Sequence, residues 1–359
     1  MSAMNPPLFL LPYVLLTLLP AGAQQQVMPS SEQGSGSMTV DSGAKSSTGD
    51  QVVASASFTP APLATPTPVE KTPLSLPGST PFVFRKIGET ELLLHVTKPA
   101  GWKVSEKLPC LISFFGGGWV NGTPSHSIEW ARWAAEHGIV GVAPDYRTRS
   151  RFNSQPEDSV SDARAAVRWV QEHASELGVD PSRIICSGGS AGGHVAAWTA
   201  IPAKGPGVDD PGAPSPLPVA LILFNPVTDT KDSGYGGTKR FGGSSHRALA
   251  CSVPDQMPAK MPPTIIFHAK ADKTVPFKNS TDFRDKLVAT GNRCELVSFE
   301  GLGHSYYSTK YGAEGAAAKV TTKQEMERFL VILGLLQATS SSTNSTPVPS
   351  VSPSSPTNK

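Results

Sequence analysis

The stretch Arg183 to His194, RIICSGGSAGGH, decides the fold. Its first five residues predict a short buried strand, and the glycines around Ser190 complete the pattern G-x-S-x-G. Side chains at Gly188 and Gly192 would clash with neighbouring backbone in a sharp strand-to-helix turn. The pattern therefore predicts that the Ser190 hydroxyl is presented at the edge of a sheet, at the start of a helix.

A glycine-rich turn of this kind is also typical of phosphate-binding sites. No Lys follows in the Walker spacing, however, and the stretch does not meet the G-x-G-x-x-G spacing of a dinucleotide site. A helix is predicted directly afterwards, over Val195 to Ile201. We therefore interpret Ser190 as a nucleophile.

Strand-like and helix-like stretches alternate along most of the chain. This pattern is typical of a doubly wound α/β fold, a mainly parallel sheet with helices on both faces, whose ligands bind at the carboxyl ends of the strands. The further predicted strands are Phe82 to Ile87, Glu91 to Thr97 (an antiparallel opening pair), Leu108 to Phe115, Ile139 to Ala143, Val219 to Phe224, Thr264 to Phe267 and Glu295 to Phe299. The further predicted helices are Ser127 to His137, Ser159 to Leu177, Phe277 to Thr290 and Thr322 to Gln337.

A serine hydroxyl needs a base, and in this architecture the order along the chain is Ser, acid, His. His304, in the loop sequence EGLGHS after the last predicted strand, fits the base. Asp272, in HAKADKTVP, is the favoured acid, and Asp229 and Asp232 are its competitors. The remaining histidines are predicted in strands, helices or an irregular segment and do not fit: His95, His126, His137, His173, His194, His246 and His268.

A tetrahedral oxyanion needs hydrogen-bond donors. The glycine triplet 116–118 ends a predicted buried strand upstream of the nucleophile, where backbone N–H groups are accessible without side chains in the way. We expect donors from the backbone of this triplet, and another from Ala191 in the serine turn.

The motifs FFGGGWVNG, PDYR, DARAAVRWV, GGSAGG, HAKADKTVP and GLGH occur in this order between Pro81 and Leu336. They resemble the esterase and lipase branch of the α/β-hydrolase superfamily, related to hormone-sensitive lipase and bacterial acetyl esterases. The resemblance implies a serine carboxylesterase that works through an acyl-enzyme without metal or cofactor. It assigns Ser190 as nucleophile with Asp272 and His304 as partners, and Gly117, Gly118 and Ala191 as oxyanion donors.

Two departures from the family pattern stand out. Phe115 occupies the place where the family's oxyanion motif begins with histidine, so the support of that loop differs. Only a short strand pair and a disordered spacer precede the glycine triplet, where the family commonly has a helical cap. We therefore expect a cap reduced to the irregular stretch Asp229 to Met261. An open cleft suits short acyl esters, including those on an acetylated or feruloylated polysaccharide. Trp119 either narrows the acyl side of the cleft or belongs to the core.

Composition excludes some classes of partner. The 359 residues include 31 Lys and Arg and 29 Asp and Glu, which gives a net charge of +2. Such a small charge provides no strong electrostatic field to bind nucleic acid. Four scattered cysteines indicate buried free thiols, with a disulfide as the alternative if the chain is exported.

The two ends of the chain are predicted to lie outside the catalytic domain, 79–338. Residues 1–23 read as a cleaved signal peptide, because an apolar run ends at Ala21-Gly22-Ala23. Residues 24–78 and 339–359 are rich in Ser, Thr and Pro, which predicts a disordered linker and tail. We expect a secreted, periplasmic or cell-surface protein, with no stable membrane partner unless the signal segment stays uncleaved.

Two other functions are compatible with these residues. One is a serine peptidase of related fold, which is disfavoured because no propeller domain is evident. The other is a non-catalytic binding module, which would usually lack one of Ser190, Asp272 and His304.

Overall fold

The computed structural model describes residues 71–202 and 216–337. Their strands are β1 (Thr80–Ile87), β2 (Thr90–Thr97), β3 (Leu108–Phe114), β4 (Val140–Pro144), β5 (Val179–Gly189), β6 (Ala220–Phe224), β7 (Thr264–Ala269) and β8 (Cys294–Phe299). They form one sheet in the order β1-β2-β4-β3-β5-β6-β7-β8. The pairs β1·β2 and β2·β4 are antiparallel, and all later pairs are parallel.

The α-helices of the described part are α1 (Ile128–Glu136), α2 (Arg149–Phe152), α3 (Pro156–Glu172), α4 (Ala174–Leu177), α5 (Ala191–Thr199), α6 (Ser245–Cys251), α7 (Val253–Gln256), α8 (Lys278–Ala289) and α9 (Gly312–Ile332). Short 3₁₀ helices cover Pro124–His126, Gly237–Phe241 and Thr309–Tyr311. Across residues 71–202 and 216–337, no helix has the length and apolar content needed to cross a membrane.

The central strands are covered by helices on both faces. Successive strand residues point to opposite sides, so Ile112 packs in one core cluster with α3, α5 and α8, whereas Leu111 packs in the other with α1 and α9. The predicted α/β architecture is confirmed. All four cysteines lie in the described residues and are free thiols there, three of them buried.

Several predicted boundaries are wrong. Helix α3 begins at Pro156 rather than Ser159, since proline suits the first helical position and Asp158 Oδ2 accepts a hydrogen bond from the Gln155 N–H at 2.7 Å. Helix α9 begins ten residues before Thr322, at Gly312. Its first turns, rich in alanine, have strong helix propensity but no apolar periodicity that a pattern search would detect.

The prediction of a disordered linker is also wrong for its last part, 71–78, because these residues pack on the catalytic domain. Leu76 is buried in a small cluster with Ile128, Ala131 and Ala143. The Thr72 hydroxyl donates to Asp145 Oδ2 at 2.7 Å. Two leucines in a short segment, of which Leu76 is buried and Leu74 is exposed, give no periodic signal, so only the tertiary contacts reveal the packing. The predicted signal peptide, the linker up to residue 70 and the tail 339–359 lie outside the described residues.

Candidate active site

The turn between β5 and α5 holds Ser190 in a strained backbone conformation, with φ +55° and ψ −121°. A Cβ at Gly188 would lie 2.3 Å from the carbonyl oxygen of Gly192. A Cβ at Gly192 would lie 2.3 Å from the carbonyl oxygens of both Phe114 and Phe115. Real Cβ atoms do not approach so closely, so the turn requires glycine at both positions, as the sequence predicts.

The glycine triplet after β3 lies directly beside this turn. A Cβ at Gly116 would be 3.4 Å from the Cβ of Ser190. Gly117 and Gly118 have φ of +124° and +63°, and a Cβ at Gly117 would be 2.1 Å from the carbonyl oxygen of Asn121. The loop can therefore follow this path only with glycine at 117.

Aromatic stacking supports the loop where the family pattern has histidine. The ring of Phe115 stacks on Tyr146 with centroids 4.0 Å apart, and the Tyr146 hydroxyl donates to the Phe115 carbonyl oxygen at 2.6 Å. Burial raises the pKa of Tyr146, so this hydroxyl stays protonated. Next to Tyr146, Asp145 forms a buried ion pair with Arg151 at 2.6 Å. Tyr146 of the PDYR motif thus supports Phe115, the residue before the glycine loop.

His304 and Asp272 are joined by a hydrogen bond of 2.7 Å from His304 Nδ1 to Asp272 Oδ2. The other carboxylate oxygen accepts the N–H groups of Thr274 at 2.8 Å and Val275 at 3.0 Å. Burial disfavours the charged form of Asp272, but hydrogen bonds from His268 and His304 outweigh it and hold the pKa of Asp272 well below its ordinary value. The ionised carboxylate fixes the proton of His304 on Nδ1, which leaves Nε2 as an acceptor.

The competing acids face other partners. Asp229 accepts hydrogen bonds from the Lys231 N–H at 2.9 Å and from the Ser233 hydroxyl at 3.0 Å. Asp232 accepts from the Thr238 N–H at 3.0 Å. The carboxylate that contacts His304 is that of Asp272.

His268, which the sequence does not predict as part of the site, is the second imidazole on this carboxylate. It is fully buried, with Nε2 3.2 Å from Asp272 Oδ2 and 3.1 Å from the Val275 carbonyl oxygen. Since both neighbours of Nε2 are acceptors, Nε2 carries the proton, and Nδ1 accepts from the Ser280 hydroxyl at 2.7 Å. The spacing of four residues between His268 and Asp272, just after a strand, is the signal that identifies the pair.

A cavity of about 580 Å³ opens at the carboxyl ends of the strands. Ser190 and His304 line it together with the glycine loop, Asn225, Ser305 and Trp130, among others. No hydrogen bond joins the Ser190 hydroxyl to His304 within the described structure. Three of the five non-glycine residues with positive φ in residues 71–202 and 216–337 line this cavity: Ser190, Asn225 and Ser305. Backbone strain of this kind concentrates at functional sites.

The segment 229–261 contributes to one wall of the cavity and is less irregular than expected. It contains the 3₁₀ helix Gly237–Phe241, α6 and α7. Tyr235 lines the cavity, and Arg240 donates to the Gly118 carbonyl oxygen at 3.3 Å. Arg247 of α6 pairs with Glu157 of α3 at 2.7 Å, which ties this wall to the body of the domain.

Trp119 belongs to the core, which settles the alternatives left open by the sequence. It is 2% exposed and packs edge-on against His194, with centroids 4.9 Å apart. Tyr235 and Phe241 flank it at 5.9 and 6.1 Å. Among the described residues that line the cavity, Trp119 is not included.

Comparisons with known proteins agree with this architecture. The BD-FAE family model matches residues 95–212, and the model of the prolyl oligopeptidase family matches residues 236–322. A solved structure of esterase 2 from Thermogutta terrifontis with propionate bound is 39% identical, with a TM-score of 0.66 over 73% of this chain and 97% of that one. The chain belongs to the esterase and lipase branch of the α/β-hydrolase family.

A second structure of that esterase and one further relative are similar over different lengths. The same Thermogutta terrifontis esterase phosphorylated by paraoxon is 38% identical, with a TM-score of 0.66 over 74% of this chain and 98% of that one. Carboxylesterase NlhH of Mycobacterium tuberculosis is 38% identical over 142 residues, 39% of this chain and 41% of NlhH. The chain spans about half the length of the curated relatives it matches, between 41% and 62%.

The lowered pKa of Asp272 predicts how stability depends on pH. Because the folded-state pKa lies below the unfolded one, the unfolded chain binds the proton first as pH falls, and the stabilisation present at neutral pH is lost below about pH 4. Between about pH 5 and pH 2, we expect the free energy of unfolding to decrease in both proteins. The decrease in Asp272→Asn should be smaller than that of wild type by about 2 kcal/mol. Urea denaturation at several pH values measures this, and parallel curves would contradict it.

Proposed function

We propose that this protein is a serine carboxylesterase that hydrolyses short-chain acyl esters through an acyl-enzyme. The observation that carries the proposal is the hydrogen bond of 2.7 Å from His304 Nδ1 to Asp272, with the His304 ring and Ser190 on the wall of one cavity. An imidazole held in this tautomer presents Nε2 as the base for the serine hydroxyl.

The reaction proceeds in two displacements. Ser190 Oγ attacks the ester carbonyl carbon while its proton moves to His304 Nε2. The tetrahedral intermediate collapses, the bond to the alcohol oxygen breaks, and the imidazolium returns the proton to that oxygen. Water then attacks the acyl-enzyme with His304 as base again, which releases the acid and restores Ser190. Asp272 stabilises the imidazolium in both steps.

The oxyanion of both intermediates would be bound by the N–H groups of Gly117, Gly118 and Ala191. None of these groups donates to another protein atom in the described hydrogen bonds. The Ala191 N–H opens α5, whose N-terminal dipole favours negative charge. Losing one such donor typically lowers the rate about 100- to 1,000-fold.

In this proposal the acyl group lies against the aromatic part of the cavity wall, where Trp130 and Tyr307 line it. Trp130 stacks on Phe224 with centroids 4.4 Å apart, and Tyr307 stands edge-on to Trp130 at 5.5 Å. The related Thermogutta terrifontis esterase is described with propionate bound. The alcohol part extends toward the cavity mouth, which is compatible with small esters and with acyl groups on a polysaccharide.

Replacing the nucleophile tests the proposal. We expect Ser190→Ala to lower the rate of p-nitrophenyl acetate hydrolysis at least about 10,000-fold, because the acyl-enzyme can no longer form. Ser187→Ala is the matched control, since Ser187 lies three residues earlier in β5 with its buried hydroxyl unpartnered in the described structure. Equal rates for wild type and Ser190→Ala would refute the proposed serine esterase function.

The same variants separate the alternatives. The prolyl oligopeptidase match over residues 236–322 makes a peptidase the second candidate, and cleavage of peptide p-nitroanilides with no cleavage of esters would favour it. A wild-type protein inactive on both substrates would favour a binding module.

Acyl-chain length tests the substrate class. If the aromatic wall limits the acyl group, p-nitrophenyl acetate should have a higher kcat/KM than the octanoate ester. Steady-state rates give this ratio when both esters are kept at concentrations too low to form micelles. A preference for octanoate would identify a lipase instead.

We also propose that the protein is exported and that the segment 1–23 is removed. The proposal is supported by the apolar run 8–20 and the small residues Ala21-Gly22-Ala23 that follow it. Protein recovered from the secreted fraction should begin at Gln24 by intact mass. Retention of residues 1–23 on that protein would contradict cleavage.

A further inference from the structure

The backbone that carries His304 belongs to the loop between β8 and α9. Two glycines precede the histidine in this loop, Gly301 with φ +66° and Gly303. Asp272 fixes the imidazole through Nδ1, but a bond to the ring does not fix the backbone that carries it. The position of His304 Nε2 relative to Ser190 therefore also depends on what holds the loop.

The hydroxyl of Tyr311 holds this loop at the histidine. The Gly303 N–H donates to the Tyr311 hydroxyl oxygen at 3.0 Å, and that hydroxyl donates to the carbonyl oxygen of His304 at 3.4 Å. A Cβ at Gly303 would lie 2.7 Å from the same hydroxyl oxygen, so this approach requires glycine at 303. One hydroxyl group thus bonds the backbone of two adjacent residues, the second of which is the proposed base.

The ring of Tyr311 is itself anchored in the core. It packs against the buried cluster that contains Phe267 of β7, Trp133 of α1 and Phe329 of α9. The residue directly precedes α9, and it is not among the described residues that line the cavity. Tyr311 therefore connects the rigid core to the loop of His304 and can act on the reaction through that histidine.

We propose that Tyr311 is a positioning residue for His304, whose hydroxyl holds the loop so that Nε2 stays within reach of Ser190. Without this hydroxyl, the Gly303 N–H and the His304 carbonyl oxygen lose a shared partner, and the loop relaxes toward others. A small displacement of the base is enough to slow the transfer of the serine proton. This inference rests on the proposed serine esterase function.

Two tyrosines near His304 allow a matched comparison. Tyr311→Phe removes the hydroxyl and keeps the ring against the core. Tyr306→Phe is the control, because Tyr306 lies two residues after His304 and its hydroxyl forms a hydrogen bond with Thr322 Oγ1 of α9 at 3.1 Å instead. Thermal denaturation checks that both variants are folded.

Reaction with paraoxon isolates the step in which His304 removes the proton of Ser190. Ser190 Oγ bonds to phosphorus, its proton passes to His304 Nε2, and p-nitrophenolate leaves. The amplitude of p-nitrophenolate release counts the reactive serines, and its rate constant reports how well the base is placed. We expect Tyr311→Phe to keep the wild-type amplitude and to react about 10-fold more slowly, whereas Tyr306→Phe matches wild type in both. The kcat/KM for p-nitrophenyl acetate should fall by a similar factor in Tyr311→Phe.

A double-mutant cycle tests the contact itself. In the wild-type background, Gly303→Ala places a Cβ 2.7 Å from the Tyr311 hydroxyl oxygen and displaces it, so we expect a similar loss of about 10-fold. In Tyr311→Phe that oxygen is absent, and the ring carbon Cζ lies 3.8 Å from the same Cβ, an ordinary contact. Gly303→Ala should therefore lower the rate little further in that background, and the two losses should not multiply.

Different outcomes would overturn the inference. A lower amplitude at the wild-type rate would mean that Tyr311 supports folding alone. A wild-type rate in Tyr311→Phe, an equal loss in Tyr306→Phe, or losses that multiply in the double variant would mean that this hydroxyl does not position His304. A wild-type protein that reacts with neither paraoxon nor p-nitrophenyl acetate would overturn the serine esterase function itself.

Discussion

The close approach of the serine turn to the end of β3 is the constraint on which the rest of the site depends. A Cβ at Gly192 would meet the carbonyl oxygens of Phe114 and Phe115 at 2.3 Å, so backbone packs on backbone at this point. The glycine loop that follows β3 is thereby brought to the side of Ser190. No side-chain rearrangement can substitute for this contact, because the space is taken by main-chain atoms.

The strain that this turn introduces is offset by the packing around it. Residues from Ile184 to Ser187 in β5 and from Ala191 to Thr199 in α5 are buried, so the elements on both sides of Ser190 are held by the core. Asn225, directly after β6, and Ser305, in the loop after β8, also have positive φ. The rigid sheet thus allows unfavourable backbone conformations to persist where the cavity lies.

Asp272 combines two requirements that a buried carboxylate must meet. Its charge needs compensation, and two backbone N–H groups and the imidazoles of His268 and His304 provide it. Its direction must also be fixed, and the buried His268, itself bonded to Ser280, limits the rotation of the carboxylate. The lowered pKa and the fixed orientation have the same cause.

The sequence by itself determined the α/β fold, the serine turn and the loop that holds His304, because glycine spacing and buried apolar runs express local steric needs. It favoured Asp272 over Asp229 and Asp232 as the acid, and the tertiary structure decided which carboxylate contacts His304. The tertiary structure also decided the role of His268. That role depends on which side chains become neighbours at the strand ends, and distance along the chain does not encode this.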